Sequence, residues 1–525
     1  MINFRKKIFE IKIIYFYYYL FRFYLASHRR QKNFYFSNIK FKKYWSYFLK
    51  NLSKNKEDKK QINILMDPFD IPNWYISNYL FINYLKKSFK VNIFTFDLKK
   101  KSKEKELIDN KIGVTKHFII RPNIKNIFKI KKIFLHLIKK IKSKKDLVNF
   151  RYKGLNFGID IYESILREGL KTVNLENKIT YKGYFLFAMY YVNFEEIFKN
   201  KIHYVLLSHD CYIQFNVAAK LARKKKAKLF LINSKEIVKS KKTFIQHEIF
   251  KKYRKNFLKL KKTNYFKKLR IKAKENLKKR VNGNLKINMD YQALTAFHNR
   301  KIKPQIENKK NYNVLIATHC FFDNPHAFAQ LNYLDYWDWI IFLGNISKES
   351  PKNFSWYVKP HRDFLPGTME ILKSFVEKFP NIKILDTNVS FKQLATEGLD
   401  LILTCHGSIA HEAPMLGINV INCAYNNSIK FNFSKTILNK KTLKKVILNS
   451  RKKKHFFSED IYDFYAIHYL HHGENKFWMK FTNPSTDKNI NFLKNFSDYK
   501  KIENKIDLKI ERFLKSKLYY SKEMF

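Results

Sequence analysis

Glycine (12) and proline (11) are scarce in this chain of 525 residues, and cysteine is rarer still at four, with no CxxC among them. So little glycine and proline excludes the collagen-like and proline-rich linker classes. Four scattered cysteines exclude a disulfide scaffold and any cysteine-rich zinc module. Acidic residues are also short: 43 Asp+Glu stand against 105 Lys+Arg, a formal net charge of +62. Arginine supplies only 15 of those 105, so lysine outnumbers it six to one. The apolar run Ile13–Phe21 spans nine residues, whereas a membrane-crossing helix needs about 20. No A-x-A-like cleavage site follows that run, so a signal peptide is not expected and the chain reads as cytoplasmic. G-x-S-x-G, Walker A and G-x-G-x-x-G are all missing, which removes support for a serine hydrolase, a P-loop NTPase and a simple dehydrogenase.

What is present in quantity is apolar and aromatic. Hydrophobic residues make up 45% of the chain, including 50 Phe and 33 Tyr, enough to bury cores and to exclude intrinsic disorder as the main state. The length suits two packed α/β domains, or three smaller units. The charge has two readings: a nucleic-acid or anionic-membrane partner, or codon bias, since Lys, Asn, Ile, Phe and Tyr share AT-rich codons. Its distribution decides between them. Residues 1–60 hold 16 basic and 3 acidic residues, and 251–280 hold 15 and one, the latter read as a solvated helix face. Residues 311–435 hold 10 basic and 11 acidic, a net of −1. The charge therefore avoids the part of the chain where the chemistry-bearing motifs cluster, and nucleic acid becomes a distant third among the functional readings. The basic, aromatic segment 1–60 is expected to form an arm that rests on an anionic inner membrane face or packs its aromatics on the next domain.

From residue 61 the pattern alternates strand and helix. Strands are expected at Ile62–Met66, Val91–Asp97, Tyr204–Leu207 and Lys228–Ile232, with helices at Trp74–Ser88 and Gln214–Lys225. A second alternating block has strands at Val314–Thr318, Tyr357–Lys359, Ile382–Leu385, Leu401–Thr404 and Val420–Cys423. Its helices are expected at Ala327–Leu343, from Thr368, from Ser390 in an S-x-x-Q capping box, and at Ser408–Leu416. This spacing means parallel sheets with helices on both faces, a Rossmann-like α/β fold.

Ligands of such sheets bind beyond the carboxyl ends of the strands, and four polar turns of the second block fall there. They are Thr318 to His326, Lys359 to Asp363, Asp386 to Asn388, and Thr404 to Ser408 followed by Glu412. Gly407 permits a tight turn and close approach of a ligand to backbone. Ser408 is placed as an N-cap, so that free N–H groups and the positive helix end offer a phosphate site. Glu412 is placed to accept hydrogen bonds from a ribose diol. His361 is expected to donate to a phosphate or leaving group, with Lys359 supplying charge. His319, Cys320, Asp323 and His326 mix soft and hard ligands without a zinc spacing, so loop contacts to substrate are expected there rather than a metal. In the first block, Asp160 and then Asp210 are the candidate general bases, each with the alternative of capping the following helix.

In order, His319-Cys320-Phe321-x-Asp323-x-Pro325-His326, Tyr336-x-x-Trp339, Val358-Lys359-Pro360-His361 and His406-Gly407-Ser408-x-x-x-Glu412 resemble the GT-B glycosyltransferases of bacterial capsule and surface-polysaccharide synthesis. The likeness is to capsular Kdo transferases and, more distantly, to bacterial sialyltransferases. Arg151 to Arg167, with Gly158-Ile159-Asp160-Ile161-Tyr162, and Ser208-His209-Asp210-x-Tyr212 resemble their N-terminal domain. The resemblance covers roughly 150–475. It implies two Rossmann-like domains facing a cleft, a nucleotide-sugar donor held by the C-terminal one, and a glycan or lipid-linked glycan acceptor. It also implies His361, Ser408 and Glu412 at the donor, and no metal or cofactor beyond the donor itself. Arg362 stands where such proteins commonly have a second proline, and offers a phosphate contact. The expected domains are then an arm at 1–60, an acceptor domain at 61–300, a donor domain at 311–455 and a helical tail at 456–525. A nucleotide-sugar epimerase and a polyol-phosphate transferase are the alternatives on the same fold.

Overall fold

The computed structural model describes residues 2–31, 58–67, 72–233, 236–240, 252–284, 295–326, 331–361, 364–452, 457–471 and 496–517. The chain packs as two compact units. The first comprises Met1–Ser164, Asn174–Gln246 and Glu474–Phe525, the second Ile165–Val173 and His247–Gly473.

The first unit is built on β1 (Gln61–Met66), β2 (Lys90–Asp97), β3 (Val114–Ile119), β4 (Tyr204–Leu207), β5 (Lys228–Ile232) and β6 (Ile237–Lys239), in the order β3-β2-β1-β4-β5-β6. All neighbours are parallel except β6, which returns antiparallel to β5. The second unit repeats the plan with β7 (Tyr312–Ala317), β8 (Phe354–Lys359), β9 (Ile382–Ile384), β10 (Leu399–Thr404), β11 (Asn419–Asn422) and β12 (Lys435–Thr436), in the order β9-β8-β7-β10-β11-β12 and wholly parallel. Central strands such as Val314-Leu315-Ile316 are buried to the last residue, the continuous apolar run that a sheet covered on both faces requires. Both orders have the doubly wound, Rossmann-like form, which reverses direction beside the first strand. The α/β class and two-domain plan read from the sequence are those observed.

The units cut across the boundaries expected at 60, 300 and 455, for reasons of packing. Helix α1 (Ile2–His28) lays Phe16 on Phe134 of α2 (Ile127–Lys140), with ring centroids 5.4 Å apart, and on Phe185 of α3 (Lys178–Ile197) at 5.6 Å. The Tyr19 hydroxyl donates to the Lys178 carbonyl at 2.8 Å. Residues 32–57 lie outside the described residues. The basic run 251–280 holds two helices, Tyr253–Leu260 and α4 (Asn264–Val281), the second capped by Thr263 accepting from the Phe266 amide. Most of α4 is solvated, yet Phe266, Ala273, Leu277 and Arg280 form a buried face, and Arg270 pairs with Glu459 and Asp463 in the same unit. Helix α5 (Phe496–Lys515) inserts Ile506, Ile510 and Phe513 into the core around Ile64, Tyr79 and Phe81.

Two local departures have plain causes. Of the helix expected over 327–343, residues 327–330 lie outside the described residues, and the described helix starts at Tyr336, where Asp335 caps it by accepting from the Asp338 amide at 2.9 Å. The segment 408–416 is not one helix but two four-residue 3-10 turns, Ser408–His411 and Ala413–Leu416. Pro414, with no N–H to donate, interrupts the ladder that an α-helix would continue.

Gly158 opens the helix Gly158–Leu166 against the end of the preceding one: a Cβ there would lie 2.0 Å from the Leu147 carbonyl oxygen and 2.3 Å from that of Val148. Neither backbone oxygen can retreat cheaply. Gly158→Ala is expected to cost about 1–3 kcal/mol, the range for overpacking, measured as a lowered urea midpoint; an unchanged midpoint would show the contact to be looser than described.

Candidate functional site

In a doubly wound sheet the crevice forms where the strand order reverses, beyond the strand carboxyl ends. In the second unit that place lies between β7 and β10, and it holds an open crevice. Thr318 and His319 follow β7, Lys359 ends β8 ahead of Pro360 and His361, and Thr404, Gly407, Ser408 and Glu412 follow from the end of β10. Of the donor residues read from the sequence, the crevice gathers His319, Lys359, His361, Gly407, Ser408 and Glu412. Asp323 lies outside it, exposed and paired with Arg167 at 3.2 Å, and His326 is not among the lining residues. Arg362 falls outside the described residues.

Each wall has a definite chemical state. His319 is half-buried, and its Nε2 accepts from the Cys405 amide at 3.3 Å and the His406 amide at 3.4 Å. Accepting at Nε2 leaves the proton on Nδ1. Burial first, then the neighbouring His406 and His361, hold its pKa well below the ordinary histidine value. The ring is therefore a neutral donor. It stacks on Tyr336 with centroids 4.9 Å apart, and the Tyr336 hydroxyl bonds His406 Nε2 at 2.6 Å. Gly407 serves that ring rather than a left-handed backbone: a Cβ would meet His319 Cε1 at 3.3 Å and Thr404 Oγ1 at 3.1 Å. Lys359 is buried with its ammonium on the Thr387 carbonyl at 2.9 Å.

The expected N-cap arrangement is corrected by the 3-10 turns. Gly407 is the capping residue, Ser408 makes no cap bond, and its hydroxyl donates instead to Glu412 Oε2 at 3.1 Å. A single four-residue turn has little macrodipole to offer an anion. A residue overlooked in the sequence takes that place. Arg280, from the end of α4, lines the crevice and donates from Nε to Glu412 Oε1 at 2.8 Å, with both side chains only 3–4% exposed. Both Glu412 oxygens are thereby engaged within the unit. The one signal in the sequence was an arginine closing a run of lysines, at a bend marked by Asn282-Gly283.

The first unit has its own reversal, between β1 and β4. Asp67 follows β1 and Ser208 follows β4; the Ser208 hydroxyl donates to Asp67 Oδ2, and His209 Nδ1 lies 2.9 Å from Ser208 Oγ. Burial pushes the Asp67 carboxyl up to about 7, against a lowering by the Ser208 bonds. In the sequence Asp67 is marked only as a carboxylate directly after a strand. The expected bases lie nearby in the same unit. Asp160 is buried, with Oδ2 on the Lys220 ammonium and Oδ1 accepting from Asn216 at 2.5 Å; burial raises its pKa. Asp210 pairs with Arg223 at 3.5 Å, and burial lifts it to about 6. Tyr212, at the end of this turn, has φ +59°. A left-handed tyrosine costs on the order of 1–3 kcal/mol and is a mark of a constrained loop. Among the described residues no group of three or more His, Cys, Asp or Glu side chains is arranged to hold a metal ion.

Two outcomes follow from these pairings. Asp67 has a folded pKa of about 7 above a reference of 3.8, so its contribution to stability is complete below that reference and is lost as pH rises through 7. Asp67→Asn is expected to raise the melting temperature more at pH 8 than at pH 5; an equal change at both would refute the raised pKa. Arg280→Met leaves Glu412 buried without its partner and is expected to cost about 3–5 kcal/mol, part of which Glu412→Gln restores in the double variant. Simple additivity in that denaturation cycle would dissolve the pair.

No protein-family model and no curated protein matches the chain. Among solved structures it is similar to the KpsC beta-Kdo 2,4 transferase of Thermosulfurimonas dismutans, at 13% identity and a TM-score of 0.31, over 50% of this chain and 79% of that one. It is similar to the UDP-GlcNAc 2-epimerase of Neisseria meningitidis, solved with UDP-GlcNAc, at 12% identity and a TM-score of 0.24, covering 78% and 97%. It is similar too to the wall teichoic acid polymerase TagF, at 10% identity and a TM-score of 0.23, covering 89% and 95%. At these identities and scores the likeness carries no argument about substrate or reaction.

Proposed function

We propose that the protein is a glycosyltransferase that moves a sugar from a nucleotide-activated donor to a cell-surface glycan acceptor, of capsule or lipopolysaccharide type, free or lipid-linked. One observation carries the reading: the strand-order reversal of the second sheet gathers Arg280, Lys359, His319 and His361 with the hydroxyls of Thr318, Thr404 and Ser408 in one crevice. Among the described residues, cations, imidazoles and hydroxyls face one carboxylate that is already paired, which suits an anionic, hydroxyl-rich ligand, and a nucleotide sugar is one.

In the reaction the acceptor oxygen attacks the anomeric carbon as the bond from that carbon to the donor phosphate breaks. The phosphate leaves with the electron pair, and the charge it gains is met by Arg280, Lys359 and a proton donated by His361. Glu412 acts through Arg280 and Ser408, which it holds in place. The acceptor proton passes to a general base, for which Asp160 and Asp210 are the candidates. Asp210 is preferred to Asp160, because both oxygens of Asp160 are tied to Lys220 and Asn216. The reading needs no metal or organic cofactor, and it belongs to the cytoplasmic face, where nucleotide sugars are made.

The test begins with thermal stabilisation by CMP, CDP, UDP and GDP, since a ligand that binds only the folded chain raises its stability. One nucleotide is expected to raise the melting temperature in wild type and much less in Lys359→Met. With that donor and a glycan acceptor, His361→Ala is expected to lose at least about tenfold in turnover with folding intact. No response to any nucleotide, or unchanged turnover in His361→Ala, sinks the proposal. Turnover of the donor without acceptor would point to an epimerase instead.

A further inference from the structure

Helix α1 has two apolar faces, and among the described residues only one is covered. Phe16, Tyr19 and Phe23 turn inward, Phe23 stacking on Phe185 with centroids 5.6 Å apart. The other face carries Ile14, Tyr17, Tyr18, Phe21, Tyr24 and Leu25, each 44–65% exposed. Their spacing of three, four and seven residues makes one continuous stripe along the helix. The stripe extends onto α2. Lys131 donates to the Tyr17 hydroxyl at 2.7 Å, and Phe128, one turn before Lys131, is 81% exposed. Large side chains gathered this way mark an interaction surface, whereas single exposed ones do not.

Charge beside the stripe identifies the occupant. Between Lys12 and Arg30 the chain has no acidic residue. Immediately beside Leu25 and Phe23 opens a cavity of 380 Å³ whose charged lining is Arg22, Arg29, Lys99 and Lys182, all cations. Apolar aromatics next to a cationic cavity match an anionic bilayer interface, which presents acyl chain and phosphate side by side. An acidic protein surface supplies the anions without the apolar depth, and free phosphate supplies neither the depth nor the area. Among the described residues no helix is long and apolar enough to cross a membrane, so α1 would lie in the plane of the interface.

We propose that the exposed stripe of α1, with Phe128 and the cationic cavity beside it, docks the first unit on anionic phospholipid. This surface is independent of the crevice and of the reaction assigned to it.

The experiment is flotation of the full chain with neutral phosphatidylcholine vesicles and with vesicles containing 20% phosphatidylglycerol (a composition of about one anion in five lipids, chosen to give a negative surface), at physiological salt. Wild type is expected to float with the anionic vesicles only. The charge-neutral pair Ile14→Ser with Phe21→Ser, and separately Arg22→Gln with Arg29→Gln, are each expected to lower binding at least about tenfold, while keeping the wild-type melting temperature. Lys267→Gln with Lys268→Gln, on the solvated face of α4, removes the same charge elsewhere and is expected to change binding little. Absence of flotation overturns the proposal. So does a loss as large in the α4 variant as in the α1 variants, which would mean adsorption by net charge alone, or full binding after the serine pair. Competition by millimolar inorganic phosphate that abolishes flotation would assign the cavity to free phosphate and overturn the lipid reading. Nucleotide stabilisation, measured on the same variants, is expected to be unchanged, so failure of one idea leaves the other standing.

Discussion

Arg280 and Glu412 are both almost withdrawn from solvent, and neither charge is tolerable there without the other. The guanidinium comes from a helix whose remaining basic side chains mostly face water. The carboxylate comes from the turn after a central strand. Their contact fixes where the helix ends, holds Ser408 through the second carboxylate oxygen, and so sets one wall of the crevice. Around this pair the site is organised without an extended helix terminus. Positive charge arrives on side chains, and the 3-10 turns serve mainly to carry Glu412 inward.

The sheet supplies the rest. A parallel arrangement must send every connection over one edge, so residues that directly follow strands meet there whatever their distance in sequence. His319, Lys359 and Gly407 are brought together in this way from three separate turns. The same logic operates in the first unit, where Asp67 and Ser208 sit 141 residues apart in sequence and share a hydrogen bond. Two units with one strand order therefore place two polar clusters at equivalent positions. The second is cationic and the first carboxylate-bearing, a difference made by the residues at strand ends together with Arg280 from α4.

Much of this was legible in the chain. Continuous apolar runs such as Val314-Leu315-Ile316 announced buried parallel strands, and the polar residue after each run announced the site edge. Three things were hidden. Arg280 belonged to a lysine-rich run whose other members are solvated, and nothing in the spacing marks which cation a helix will bury. Ser408 and Glu412 stand four apart, as in a helical turn, but Pro414 shortens the turns and converts a cap into a side-chain hydrogen bond. Asp67 lacked a motif, because its partner Ser208 is supplied by pairing of β1 with β4, a long-range event. The N-terminal helix was read as an arm with a choice between membrane and packing; one face packs, which a period shared by two apolar faces disguises.

The docking of α5 also bears on how the chain is made. Ile506, Ile510 and Phe513 complete a core whose other members lie between Ile62 and Ile237. At roughly 5–20 residues per second, synthesis of the intervening segment takes on the order of tens of seconds. For that interval the first sheet exists on the ribosome with part of its apolar surface uncovered, while the second unit, whose segments close earlier, can already be built. The core of the first unit is then the last to be completed, although its sheet comes first along the sequence.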